Sequence, residues 1–157
     1  LLFVPSEHAI LSPLQEDAIM NQKTTCMSAY DIDRLEAFIE GARKSYRYDR
    51  QVLENLQEEI DSSRVVDSRQ MPPDVVTINS RVRLRDLDTG QDLILTLVLP
   101  GSADLAAGRI SVASPIGTAI LGYAVGDTIA WTVPAGTRQI RIEEILYQPE
   151  SAGDFHL

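Results

Sequence analysis

Side chains able to do covalent or metal chemistry are sparse in this chain, and their spacing works against a catalytic centre. The two histidines, His8 and His156, lie near opposite ends. Neither a zinc site nor a histidine-based nucleophile triad is supported by that placement. The single cysteine, Cys26, excludes an internal disulfide framework and suits a reducing cytoplasm. A phosphate-cradling P-loop is also missing from the sequence. We therefore expect no catalytic residue, no bound metal and no cofactor.

What remains is the chemistry of recognition. The stretch GARKSYRYDR, residues 41–50, sets Arg43, Lys44, Arg47 and Arg50 against a single acid, Asp49. Such a cluster is either a solvated surface or a contact for acidic protein residues or RNA. Tyr46 and Tyr48 within it either add contact area or brace a turn. A second basic pattern, Arg81, Arg83 and Arg85, alternates with Val82 and Leu84, which puts the arginines on one face of a strand. Asp86, Asp88 and Asp92 offset that charge, so a solvated sheet face is expected.

The most structured pattern is RISVASPIGTAILGYAVGD, residues 109–127. It opens as a short strand. Ser114 is placed to cap a helix, and Pro115 sits at the first helical position, where a missing N–H costs nothing. Ile116, Ala119 and Ile120 share one helical face. Gly122 can end that helix in a left-handed conformation. Gly126 and Asp127 turn the chain into a strand over residues 128–133.

The elements that must position these groups can be read from the rest of the 157 residues. That length suits one ordinary domain, or one domain with a helical appendage. Fourteen basic against 23 acidic residues give a formal charge of −9, which repels phosphate backbones and argues against autonomous nucleic-acid binding. No apolar run approaches the roughly 18 residues of a membrane span. Residues 1–19 read as a peripheral extension, with a short helix expected after the capping box at Ser12 and Gln15.

From Asp31 onward, Ile32, Leu35, Phe38, Ile39 and Ala42 recur at helical spacing. A second stripe, Val52, Leu53, Leu56 and Ile60, marks a helix over residues 48–62. With residues 41–47 between them, the simplest arrangement is a short antiparallel hairpin. Each arm of about 14 residues would be only ~20 Å long. Residues 63–73 read as a linker, with a boundary near Gln70. Strands are then expected over residues 74–78, 80–87, 93–99, 128–133 and 138–147. The apolar run 93–99 suggests a central strand covered on both faces. The expectation is an α+β fold: an N-terminal extension (1–27), a helical hairpin (28–70), and an antiparallel sheet domain with one short helix (71–157).

The motif S-P-I-G-x-A-I-L-G-x-x-x-G-D, residues 114–127, resembles the signature of the C-terminal domain of the Gre transcription elongation factors. The M-P-P-D-V-V-T run at residues 71–77, the short hairpin and the tail at 147–155 resemble regulators of nucleoside diphosphate kinase, a branch related to Gre. The resemblance is close over residues 71–157, looser over 28–68 and absent before Met20. It implies an FKBP-like fold for the C-terminal part and docking on RNA polymerase beside its secondary channel. In Gre factors the loop matching Ala113, Ser114 and Pro115 contributes to docking; here Ala113 replaces an acid common in the cleavage factors. Ile116 and Gly117 either extend that surface or only build the fold.

Cleavage-stimulating Gre factors carry a longer hairpin whose tip carboxylates help hold a catalytic Mg²⁺. Such a metal needs hard oxygen ligands brought close to it. A short hairpin with a basic tip at Arg43, Lys44, Arg47, Asp49 and Arg50 fails on both reach and charge. The expected function is therefore a cytoplasmic RNA polymerase-binding regulator that competes with other channel factors and is not itself an enzyme. A rival is a true cleavage factor using acids such as Glu40 and Asp49. A prolyl isomerase is another, although the aromatic residues Tyr123, Trp131, Tyr147 and Phe155 form no obvious box, and Trp131 reads as core. Nucleoside diphosphate kinase is a second candidate partner, reached directly or through transcription.

Overall fold

The computed structural model describes residues 24–157; the expected extension over residues 1–19 and its capping box lie outside the described residues. Strand β1 (Cys26–Ser28) leads directly into helix α1 (Ala29–Ser45). Ser28 caps α1, its hydroxyl accepting from the Asp31 N–H at 3.0 Å. Helix α1 runs through Gly41 and stops only at Tyr46, which adopts a left-handed conformation (φ 55°). The connection to α2 (Arg50–Ser62) is therefore residues 46–49 and not the longer 41–47 expected from sequence. An exposed glycine costs a helix only about 1 kcal/mol, too little to end one whose apolar stripe continues to Ala42.

The expected linker is also ordered. Residues 64–66 form strand β2 (Arg64–Val66), which pairs in parallel with β1, and residues 68–70 make a turn of 3₁₀ helix. Three-residue strands carry too few positions for an alternation signal. The segment 74–78, expected as a strand, makes only an isolated bridge between Val75 and Ala124. Its buried backbone is satisfied otherwise: Val76 N–H donates to the Tyr123 carbonyl at 2.8 Å. The buried Gln148 amide donates to the Pro72 and Val75 carbonyls, both at 2.8 Å.

The main sheet comprises β3 (Arg81–Asp86), β4 (Asp92–Val98), β5 (Arg109–Ser111), β6 (Thr128–Val133) and β7 (Gly136–Tyr147), ordered β5-β4-β3-β7-β6. The expected all-antiparallel sheet is corrected by β5, which pairs in parallel with β4. Turns of 3₁₀ helix at Pro100–Ser102 and Leu105–Ala107 carry the chain back between those two strands. Strand β4 is also not covered on both faces as expected: Leu93 and Ile94 are exposed, whereas Leu95, Leu97 and Val98 are buried. Helix α3 (Pro115–Ile120) lies next to β6, and α4 (Pro149–Ala152) follows β7.

One hydrophobic cluster joins both parts of the chain. Leu35 and Ile39 of α1 and Leu56 and Ile60 of α2 are buried with Val82, Leu84, Leu97 and Ile142 of the sheet and Ile116 and Ile120 of α3. The helical stripes are thus buried against the sheet region as well as against each other. A polar tie reinforces the junction: Asp31 at the start of α1 bonds Arg34 at 2.5 Å and accepts from the Ile78 N–H at 3.2 Å.

Candidate functional site

The loop before α3 is fixed by converging hydrogen bonds. The Ser111 carbonyl accepts from both the N–H (3.0 Å) and the hydroxyl (2.6 Å) of Ser114. The same hydroxyl accepts from the Gly117 N–H at 3.1 Å, capping α3 as its sequence predicts. Thr118 Oγ1 donates to the Val112 carbonyl at 2.7 Å. A Cβ on Gly117 would lie 2.0 Å from the Ser111 carbonyl oxygen, so only glycine fits without moving backbone. Ser114 is half-buried and Pro115 exposed, whereas Ile116 and Gly117 are buried. Of the four residues, Pro115 offers the outward-facing side chain and the other three set its position.

Next to this loop, α2, α3 and β6 enclose a groove of about 400 Å³. Pro115, Tyr123, Ile129 and Trp131 supply its apolar surface, and Asn55, Glu58 and Glu59 of α2 line its polar side. The Trp131 indole N–H is buried with no hydrogen-bond partner among the described residues. Burial, then the neighbouring Glu58 charge, push the Glu59 carboxyl above its ordinary range. Burial also raises the Tyr123 hydroxyl, with the charges of Glu59 and Asp127 adding to it. Sequence alone had Trp131 as core, and it does pack on the core edge with Ile129. It did not bring Tyr123 and Trp131 into one groove, because the third wall comes from α2, more than 50 residues earlier in the chain.

The far end of the helical pair is built differently. Arg43 and Lys44 belong to the last turn of α1, Arg47 and Asp49 to the connection, and Arg50 opens α2. Tyr46 is 92% exposed. Tyr48 braces the connection through an edge-on contact with Phe38, ring centroids 5.2 Å apart. Asp49 caps α2, accepting from the Gln51 N–H at 2.9 Å. Lys44 and Arg50 make exposed helical pairs with Glu40 (3.5 Å) and Glu54 (2.8 Å). Among the described residues Arg43 and Arg47 carry no ion pair, and no cluster of three or more metal-ligating side chains occurs. Also among them, no helix is long and apolar enough to cross a membrane.

Residues 71–147 match the family described as "Transcription elongation factor, GreA/GreB, C-term", and residues 26–66 match "Rnk N-terminus". The chain is 35% identical over 139 residues to the regulator of nucleoside diphosphate kinase of Escherichia coli strain K12, covering 88% of this chain and all of that protein. It is 37% identical over 93 residues to transcription elongation factor GreA of Christiangramia forsetii, 59% of each chain. A solved structure, the prokaryotic transcription elongation factor GreA/GreB from Nitrosomonas europaea, is similar at 35% identity with a TM-score of 0.65. That likeness covers 80% of this chain and all of that one.

Proposed function

The chain belongs to the family of regulators of nucleoside diphosphate kinase, relatives of the GreA/GreB transcription elongation factors, and from that premise we propose that it docks on RNA polymerase near the secondary channel without stimulating transcript cleavage. Within this reading, α1 and α2 form a short antiparallel hairpin (residues 28–70), and residues 71–157 form an FKBP-like docking domain. The observation that carries the proposal is the contrast in charge and rigidity between two sites. The Ser114–Pro115 loop is held as a fixed surface feature, while the hairpin end is basic and its acids are engaged locally. Asp49 caps a helix and Glu40 bonds Lys44, so neither is arranged to share a cation. Competition with Gre factors for the channel rim, cytoplasmic location and action without catalysis follow from the same reading.

Two assays test it. Purified RNA polymerase is mixed with the full chain and with Pro115→Glu, which alters the exposed side chain and spares the Ser114 cap. Capture by the intact chain and its loss in the variant are expected; equal capture by both would sink the assignment of the loop. The chain is then added to a backtracked polymerase complex. Transcripts should keep their length, and displacement of a Gre factor should be seen. Shortened transcripts would establish the cleavage-factor reading instead.

The groove beside Pro115 favours one alternative, prolyl isomerisation, because it gathers Tyr123 and Trp131 as a peptide pocket would. Clear turnover of a prolyl peptide, lost in Trp131→Ala, would raise that reading above docking alone. A direct contact with nucleoside diphosphate kinase rests only on the relative's name; regulation through transcription accounts for that name equally well.

A further inference from the structure

The arginine stripe on β3 divides into two halves with different electrostatics. Arg83 bonds Asp92 at 3.1 Å and Glu144 at 3.2 Å, and Arg85 bonds Asp92 at 2.8 Å. That half is a neutralised, solvated face, as its sequence suggested. Arg81, on the same face two residues earlier, is exposed and has no acidic partner among the described residues.

The sheet register places Arg81 in a row with other donors. Arg81 lies opposite Tyr147 on β7 and Thr96 on β4, and Thr96 lies opposite Arg109 on β5. Directly opposed residues share a face, and neighbouring strands are ~4.8 Å apart. Two such steps set the Arg81 and Arg109 backbones roughly 10 Å apart, with the short Thr96 between them. Both guanidinium groups can then converge over Thr96. The row lies in a concavity of about 750 Å³ that Asn79, Ser102, Val98 and Leu157 also line.

The acid held by Arg109 is Asp104, at 3.4 Å, with both side chains about half exposed. Such a screened surface pair is worth little, so Arg109 can turn to a better anion. In a chain of formal charge −9, this concavity gathers two guanidinium groups, with the Asp104 carboxylate on Arg109 and the Asp154 carboxylate on the Tyr147 hydroxyl beside them. Arginine forks match phosphate oxygens with two parallel hydrogen bonds, and Thr96, Ser102 and Asn79 add neutral donors. The volume exceeds what a bare phosphate needs and falls in the range of small-molecule pockets. The Tyr147 ring, its hydroxyl bonded to Asp154, offers apolar surface with Val98 and Leu157 for an organic part.

We propose that this concavity on the outer sheet face binds a phosphate ester of mononucleotide size, with Arg81 and Arg109 holding the phosphate. The site is separate from the Ser114–Pro115 loop and does not depend on polymerase docking. Calorimetric titration of the full chain with adenosine monophosphate, adenosine and inorganic phosphate tests it. Saturable binding of the monophosphate is expected, with adenosine and inorganic phosphate each at least tenfold weaker. Arg81→Gln and Arg109→Gln should each weaken the monophosphate about tenfold, the scale of one charge-assisted hydrogen bond. Arg81→Lys should fall between Arg81→Gln and the parent, and Arg85→Gln should stay within twofold. Circular dichroism of each variant confirms that the sheet is intact. No heat at millimolar monophosphate, inorganic phosphate binding as tightly as the ester, or equal losses in Arg81→Gln and Arg85→Gln would each overturn the proposal.

Discussion

The loop over residues 111–117 and the connection over residues 46–49 each join two elements within a few residues, yet they are held in opposite ways. In the loop, Ser111, Ser114, Gly117 and Thr118 are tied by mutual hydrogen bonds, and the space at Gly117 is already occupied by backbone. At the connection, Tyr46 projects into solvent in a strained left-handed conformation, and Arg43 and Arg47 are exposed. The Asp49 cap and the Phe38–Tyr48 contact hold it locally. The two regions therefore differ in how freely they tolerate substitution. A side chain at Gly117 would displace the Ser111 backbone and Ser114 supplies the cap, so these two positions fix the one surface that Pro115 presents. The connection can exchange bases for acids at little structural cost, since Arg43 and Arg47 are exposed and make no ion pair among the described residues.

One added methyl group in each region should have opposite effects on stability. Gly117→Ala forces the new Cβ against the Ser111 carbonyl and should destabilise the fold by about 3 kcal/mol. Gly41→Ala, in an exposed helical turn with nothing near its Cβ, should stabilise it by about 0.5–1 kcal/mol. Urea unfolding of both variants measures the pair; effects of the same sign would dissolve the contrast. The next largest effects concern the two termini of helices. Ser114→Ala removes the cap of α3 and should cost about 1 kcal/mol. Tyr46→Gly relieves the left-handed strain after α1 and should gain about 0.5–1 kcal/mol.

These differences also explain what could be read from sequence. Pro115, Gly122 and the Ser114 cap were legible because each residue type answers a single backbone demand; Gly122 does take a φ of +83°. The α1 and α2 stripes were legible because burial imposes a period on them. The β1–β2 pair was not, since Cys26 and Arg64 lie far apart in sequence and three residues carry no period. The β4–β5 parallel pairing was hidden for a related reason: its crossover consists of turns without a helical pattern. The groove at Trp131 depends on where α2 packs, and sequence spacing does not encode that distance. Conversely, Arg81, Arg83 and Arg85 looked equivalent because alternation reports a face and not the partners on it.

A smaller effect on stability separates the Pro115 loop from the basic residues near the α1–α2 connection. Arg43→Glu with Arg47→Glu should change unfolding free energy by less than about 0.5 kcal/mol, since both side chains are exposed and neither has an ion pair among the described residues. Pro115→Glu should be similarly mild. Under the proposed polymerase docking, Pro115→Glu should reduce capture of the polymerase, whereas the double charge reversal should change the response of a bound complex more than its capture. Capture and transcript-length assays on the same preparations distinguish the two. A double reversal that abolished capture as fully as Pro115→Glu would place the principal docking contact at the hairpin end.

The smallest expected effect is a difference in pH response between the groove and the sheet face. Glu59, raised by burial and then by Glu58, binds its proton more tightly folded than unfolded. Its contribution to stability is therefore fully present below the ordinary glutamate value of 4.5 and is lost as pH rises through the higher folded value. Asp92 behaves in the reverse sense. Its hydrogen bonds with Arg85 and then Arg83 lower its pKa, so its contribution is present above 3.8 and is lost as pH falls through the folded value. Unfolding free energies measured from pH 3 to 7 should accordingly decline less between about pH 4.5 and 7 in Glu59→Gln than in the parent. Asp92→Asn should instead flatten the acid limb below about pH 4 and leave the neutral slope unchanged. A Glu59→Gln curve parallel to the parent would mean that the carboxyl is solvated, and that α2 does not close the groove over it in solution.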